Sequence, residues 1–329
     1  MDEPQAALQT IDGRPVLRFE RQLAHPPAKV WKAITDPAEM AHWFPAAVDF
    51  PAPTDLPDTA DTELKPGATM RFTFPDTAPL DVTSEGEVLE FDPPKVYAFR
   101  WDTDVLRFEL VPDGSGCRLL FSQTLGGGWV GGLAAGRNAT GWDVCLDTLQ
   151  AYLAGQNFPQ PTDWLGPMER YIQKFGLDEG DIHETGDGYR VRFARDLVWK
   201  PVDEVWALLT EEAEPRVHEE PPLPATNGYV AAGPVTIVQA PHVLEYQWLH
   251  DGVPVGQVCW EIIHDPTLGT RVELTQTLPA SLAEFRATAL AAWHVQLELF
   301  FAATHGQIRC PWPQERTEEL QKRYTERLG

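Results

Sequence analysis

The apolar and polar positions of this chain alternate with two different periods, and the order of the periods predicts its elements. From Val16 to His25, the residues Leu17, Phe19, Arg21 and Leu23 alternate with Val16, Arg18, Glu20 and Gln22, a period of two that marks a half-buried strand. Pro26 and Pro27 stop it, and Pro27 suits the first turn of a helix, where its missing donor costs nothing. Val30, Trp31 and Ile34 then share one helical face. Asp36–Pro37–Ala38–Glu39 predicts a second helix start, with Asp36 as cap and Glu39 reaching back, and His42, Trp43 and Phe44 at its end. Strands are expected over 69–74, 84–91, 96–101, 105–111 and 118–125, the last two joined by the DGSG turn at 113–116. Glycines at 126, 127, 128, 131 and 132 break the pattern. A helical stripe follows, strongest from Gly141 onward, in which Trp142, Cys145, Leu149 and Leu153 line up.

The same series is written twice. EGEVLEFDPPKVYAFRW, residues 85–101, returns 147 residues later as AGPVTIVQAPHVLEYQW, residues 232–248. Pro26 and Val30–Trp31 recur as Pro201 and Val205–Trp206; RLLFSQTL at 118–125 recurs as RVELTQTL at 271–278. GWDVCLDTL at 141–149 recurs as AWHVQLELF at 292–300, so Trp142 matches Trp293. A period of about 150 residues is too long for a solenoid, whose repeats run roughly 20–50, and indicates two domains. The composition places domain one at 14–155, a linker with a short helix at 156–187, a shortened domain two at 188–306 and a charged helical tail at 307–329, outside the repeat. Residues 1–13 read as a frayed leader. The proline-rich stretch 210–227 stands where domain one has a strand and an acidic loop, 51–66, of a length often seen in lids. Ser281 and Glu284 form a capping box that should open the last helix of domain two, with Leu282, Phe285, Ala289, Trp293, Leu297 and Phe300 on its apolar stripe. Each domain is therefore α+β: an antiparallel sheet with one long helix across it and a cleft between them.

Composition narrows the function. With 26 basic and 49 acidic residues in 329, the formal net charge is −23. No basic patch exists, so nucleic acid and anionic membrane surfaces are excluded as expected partners. The N-terminus lacks a basic start and an apolar core, no 18-residue apolar run occurs, and four separated cysteines form no C-x-x-C pair; a reducing cytoplasm is the expected location. G-x-S-x-G, H-E-x-x-H and a phosphate loop ending in Lys are all missing, and GGGWVGG at 126–132 reads as a hinge or loose helix start. His42, His218, His264 and His294 fall near cavity-facing elements. No two of them are four apart and no carboxylate pair accompanies them, so no metal and no cofactor are expected.

Pro26, Val30 and Trp31 before a first helix, Trp101 closing a meander, and Gly141, Trp142, Leu146 and Leu149 on a final helix together resemble the START-like (SRPBCC) superfamily. Within it, they resemble the bacterial homologues of the C-terminal domain of the activator of the heat-shock protein 90 ATPase. The resemblance spans about residues 14–154 and, more weakly, 188–305, as two tandem copies. It implies a helix-grip fold, a curved sheet around a terminal helix with a hydrophobic cavity. Lipid carriers, polyketide cyclases and aromatases, hormone receptors and chaperone regulators share this fold. Domain two departs from the pattern, with Ala292 in place of Gly141.

Trp31, Trp101 and Trp142 recur as Trp206, Trp248 and Trp293, which assigns them to packing. Trp43, Phe44 and Trp129 have no counterpart and are candidates for a ligand mouth. Arg71 and Arg100 could face the cavity, answered by Asn138 and Asp143; the rival reading puts both arginines on the solvated outer face. The candidate ligand set is thus His42, Trp43, Phe44, Arg71, Arg100, Trp101, Trp129, Asn138 and Trp142. The expected function is non-catalytic binding of a small hydrophobic or aromatic molecule, with the larger cavity in domain one. One alternative is a cyclase- or aromatase-like enzyme using His42, Glu87, Arg71 and Arg100. A second is a co-chaperone-like module that binds a protein partner.

Overall fold

The computed structural model describes residues 5–51, 64–75, 83–197 and 199–329. The acidic loop expected to act as a lid falls largely at 52–63, outside the described residues. The chain forms two compact units, 1–175 and 176–329.

Unit one runs β1 (Ala7–Ile11), β2 (Arg14–Leu23), α1 (Pro27–Thr35), α2 (Pro37–Met40), β3 (Ala47–Asp49), β4 (Thr69–Thr73), β5 (Thr83–Asp92), β6 (Val96–Trp101), β7 (Asp104–Asp113), β8 (Gly116–Thr124), α3 (Gly128–Leu133), α4 (Ala135–Leu153) and α5 (Leu165–Lys174). Its sheet is antiparallel in the order β1-β2-β8-β7-β6-β5-β4-β3. Unit two runs β9 (Asp181–Thr185), β10 (Gly188–Asp196), α6 (Val202–Thr210), a 3₁₀ turn (Leu223–Ala225), β11 (Ala231–Gln239), β12 (Val243–His250), β13 (Val253–Asp265), β14 (Gly269–Pro279), a 3₁₀ turn (Ala280–Phe285), α7 (Arg286–Thr304) and α8 (Gln314–Leu328). Its sheet is antiparallel in the order β11-β12-β13-β14-β10-β9. Each unit is a helix-grip domain: the long helix, α4 or α7, lies on the apolar face of its sheet. Among the described residues, unit two has no counterpart of β3 and β4.

Alternation sets the grip. In β2, Leu17, Phe19, Arg21 and Leu23 face the helix, and in β8, Cys117, Leu119, Phe121 and Gln123 do. Trp142 lays its ring 4.5 Å from Phe121 and donates from Nε1 to Gln123 Oε1 at 2.7 Å. Trp293 repeats the bond to Gln276 Oε1 at 2.6 Å, with Trp260 as its ring neighbour at 6.0 Å. The peptide bonds before Pro94 and Pro241 are both cis, so the repeated β5–β6 and β11–β12 turns match in backbone as well as sequence.

Three expectations change. Residues 7–11 are not a frayed leader: β1 pairs with β2, and the Asp12–Gly13 turn, with φ of 51° and 75°, is the hairpin signal that explains it. The Ser281–Glu284 capping box does not form. Residues 280–285 make a 3₁₀ turn and α7 starts at Arg286, because Phe285 leaves the helix stripe to stack on Trp248 at 5.4 Å. The repeat also extends further than the four sequence blocks. Each unit opens with a short hairpin and ends with a helix, α5 or α8, that turns back onto its long helix.

Candidate functional site

The flank of α4 that turns away from the sheet carries an aromatic cleft. Its cavity volume is about 270 Å³, and its lining includes His42, Trp43, Phe44 and Pro45 after α2, Gly141, Val144, Cys145 and Thr148 on α4, and Gln160 and Trp164 before α5. The local causes can be traced. Asp36 caps α2 by accepting from Ala38 N at 3.0 Å, which ends α1 and turns the chain toward α4. Trp43 is buried and fixed by its Nε1 bond to Ala33 O at 2.8 Å. Phe44 packs inward on Trp101 and Trp142, at 5.3 and 5.8 Å. His42 stays on the surface, stacked on Tyr152 at 4.5 Å and 16°.

Gly141 opens the cleft floor. A Cβ built there would meet no atom within 4 Å, so packing does not demand glycine, and glycine inside a helix costs about 1 kcal/mol relative to alanine. Beside it, burial pushes the Cys145 thiol up to about 12, which keeps it protonated and makes it an apolar wall, not a nucleophile. At the rim, Tyr152 Oη donates to Glu39 Oε2 at 2.7 Å and Lys32 Nζ donates to Glu39 Oε1 at 2.5 Å. The hydrogen bonds from Lys32 and Tyr152 hold the Glu39 carboxyl below its ordinary range, and the bond to Glu39 raises the Tyr152 phenol. The expected capping role of Glu39 is thus replaced by a rim that fixes the Tyr152–His42 stack.

Of the nine candidate residues, only His42, Trp43 and Phe44 line this cleft. Trp142 belongs to the packed interior, and the half-buried Trp101 stacks on Phe72 at 4.5 Å and bonds Ser84 Oγ at 2.8 Å. Arg71 and Arg100 do not face a cavity. Arg71 is exposed opposite Glu85, and Arg100 pairs with Glu87 at 3.2 Å; both lie on the outer face, because the inner positions of β4 and β6 are taken by Met70, Phe72, Tyr97 and Phe99. Asn138 neighbours Arg137, with Arg137 Nη1 3.4 Å from its Oδ1, and does not answer those arginines. Asp143 answers Arg21 instead. Trp129 is 54 % exposed on α3.

What the sequence reading passed over is a buried arginine in each unit. Arg21 stands on the apolar face of β2, donates to Asp143 Oδ1 at 2.6 Å and lies 3.6 Å from Asp147. Tyr171 of α5 closes this group: its hydroxyl donates to Asp143 and accepts from Gln5 N and Ala6 N at 2.9 and 3.0 Å. Arg195 repeats Arg21, and Tyr324 of α8 repeats Tyr171, accepting from Gly180 N at 3.1 Å. His294 and Glu298 take the places of Asp143 and Asp147. This also corrects the histidine reading, since a carboxylate pair does accompany His294: its Nε2 lies 3.1 Å from Asp178 Oδ2 and 3.3 Å from Glu298 Oε1. The available signal was a charged residue on the apolar face of both β2 and β10.

Residues 24–154 match the family model described as Activator of Hsp90 ATPase homolog 1-like protein. No curated protein matches the chain. Among solved structures, similarity is found to a conserved protein of unknown function, EF2215, from Enterococcus faecalis (18 % identity, 52 % of this chain and 90 % of that one, TM-score 0.42). It is also found to CalU16 from Micromonospora echinospora (19 %, 52 % and 95 %, TM-score 0.38) and to DynU16, a protein of the dynemicin biosynthetic locus (16 %, 88 % and 98 %, TM-score 0.37). Among the described residues, no helix is long and apolar enough to cross a membrane. Over residues 24–154 the first unit is a match to the Activator of Hsp90 ATPase homolog 1-like family, and the second unit repeats its helix-grip architecture.

Proposed function

We propose that unit one binds a small, neutral, aromatic or otherwise apolar molecule in the cleft on the outer flank of α4, without transforming it. The observation that carries this reading is Gly141: a helical glycine with open space above it, at the floor of an aromatic-lined cleft. Among the described residues the lining has no lysine or arginine to hold an anion, and the ionised Glu39 sits at the rim, bonded to Tyr152. Trp43, Trp164 and the His42 ring present flat apolar surfaces, and Thr148 and Gln160 offer the few polar contacts that orient a ligand.

The cyclase-like alternative has one group in its favour. Burial holds the Asp104 carboxyl above its ordinary range, although Gly126 N and Gln123 Nε2 bond it at 2.7 and 2.6 Å. Both of its oxygens are thereby occupied, which leaves the binding reading ahead. The test is fluorescence titration of the full chain with N-phenyl-1-naphthylamine, a neutral aromatic probe that brightens in apolar surroundings. Saturable binding is expected, weakened about tenfold or more by Gly141→Leu, with the circular dichroism spectrum unchanged. Equal binding by wild type and Gly141→Leu, or no binding by wild type, would overturn the assignment.

A further inference from the structure

We infer that Asp178, His294 and Glu298 of unit two form a binding site for a divalent transition-metal ion, with zinc the best match to the donors. One imidazole nitrogen and two carboxylate oxygens converge within 4.8 Å of one another. A tetrahedral zinc ion with bonds of about 2.0–2.2 Å has ligand–ligand edges of roughly 3.3–3.6 Å. The two histidine–carboxylate distances, 3.1 and 3.3 Å, already lie close to those edges. His294 and Glu298 are one turn apart on α7, so one rigid helix presents both, and Asp178 comes from the chain just before β9.

Three features favour a metal over a hydrogen-bonded group alone. His294 is fully buried, and its Nε2, which can carry one proton, faces two carboxylates, at 3.1 Å from Asp178 and 3.3 Å from Glu298. A metal at Nε2 satisfies both. The other ring nitrogen is already held: Nδ1 lies 2.8 Å from Tyr324 Oη, the outer contact that orients a metal-bound histidine. With a metal on Nε2, the Nδ1–H would donate to Tyr324 Oη. Glu298 is partly exposed, which leaves a side for water as the fourth ligand.

The surrounding cations are compatible. Arg195 donates to the backbone carbonyls of Leu177, Asp178 and Ala194. Arg316 bonds Glu298 at 2.9 Å but is part-exposed and also reaches Glu319, to which it can swing. Unit one shows the contrast: with Asp143 in place of His294, the arginine binds the carboxylate directly.

The full chain, stripped with a chelator and desalted, is titrated with Zn²⁺ under native mass spectrometry and with Co²⁺ in the visible region. One zinc per chain and the absorption bands of four-coordinate cobalt are expected. Asp178→Asn and Glu298→Gln, the second at the edge of the site and tolerable to the fold, should each weaken binding by about tenfold or more. A wild-type chain that takes up no zinc stoichiometrically, or one whose zinc and cobalt signals survive Glu298→Gln unchanged, would show a hydrogen-bonded group only and overturn the proposal.

Discussion

The two long helices carry the same tryptophan and grip the same kind of sheet, yet their outer flanks differ. On α4, Gly141 and Cys145 face an open cleft. On α7 the matching residues are Ala292 and Gln296, both buried, and Gln296 Nε2 donates to Pro224 O at 2.6 Å. The 3₁₀ turn 223–225 is thereby drawn against the helix, and Ala225 O, accepting from Tyr246 Oη and Trp260 Nε1, fixes it from the sheet side. Shortening the middle of unit two thus closed the flank that unit one leaves open. A duplicated fold keeps the face that packs and varies the face that does not.

The comparison is sharpest where both units should fail alike. Trp142→Ala and Trp293→Ala should each cost about 3–5 kcal/mol, the usual range for a buried aromatic truncation. Trp293, fully buried, belongs at the upper end. Urea denaturation of each variant checks this; an unchanged midpoint for either would mean that its helix is not held by the sheet. The terminal helices come next. Tyr171→Phe strips a hydroxyl that serves three groups and Tyr324→Phe one that serves two, so a loss of about 1–3 kcal/mol is expected for each. Hydrogen exchange should rise at Gln5 and Ala6 in the first case and at Gly180 in the second. Exchange unchanged at those amides would refute the shared role of α5 and α8.

A difference in pH response follows from one position. Glu273 in β14 stands where β8 has Leu120. Burial raises the Glu273 carboxyl, but the bonds from Arg271 at 2.8 Å and Arg192 at 2.7 Å more than offset this and hold it below the ordinary range. A lowered carboxylate pKa stabilises the fold above the unfolded value, near 4.3, and this is lost as pH falls through the folded value. Glu273→Gln should therefore lower the melting temperature at pH 7, with the gap to wild type closing below about pH 4. A gap that does not vary with pH would assign the loss to packing. The smallest effect has opposite signs in the two units. Gly141→Ala should stabilise by up to about 1 kcal/mol, since the helix gains and nothing clashes. Ala292→Gly should destabilise by about that amount or more. Destabilisation by Gly141→Ala would show that the cleft floor is already filled.

Much of this was legible along the chain. Trp142 and Trp293 are in the sequence as a repeated residue at a repeated spacing, and they do the same work. Trp43, Phe44 and Trp129 stood out because the second copy lacks them; Trp43 and Phe44 line one cleft with His42, and Trp129 does not. Arg71 and Arg100 were not resolved, since a strand's period tells which residues share a face but not which face turns inward; here Phe72 and Phe99 took the apolar side. The tyrosine groups were invisible because Tyr171 is brought to Gln5 and Ala6 from 166 and 165 residues away, and no local pattern reports that.

The sequence by itself determined the duplication, the α+β class and the tryptophan that locks each helix to its sheet, because these rest on short-range periodicity and on composition. Only the tertiary structure decided that the cleft opens on the outer flank of α4, that α5 and α8 complete their units, and that His294 meets Asp178 and Glu298. Each of these depends on residues far apart in the chain sharing a few ångströms of space, and such contacts are set by packing of whole elements, not by neighbours in sequence.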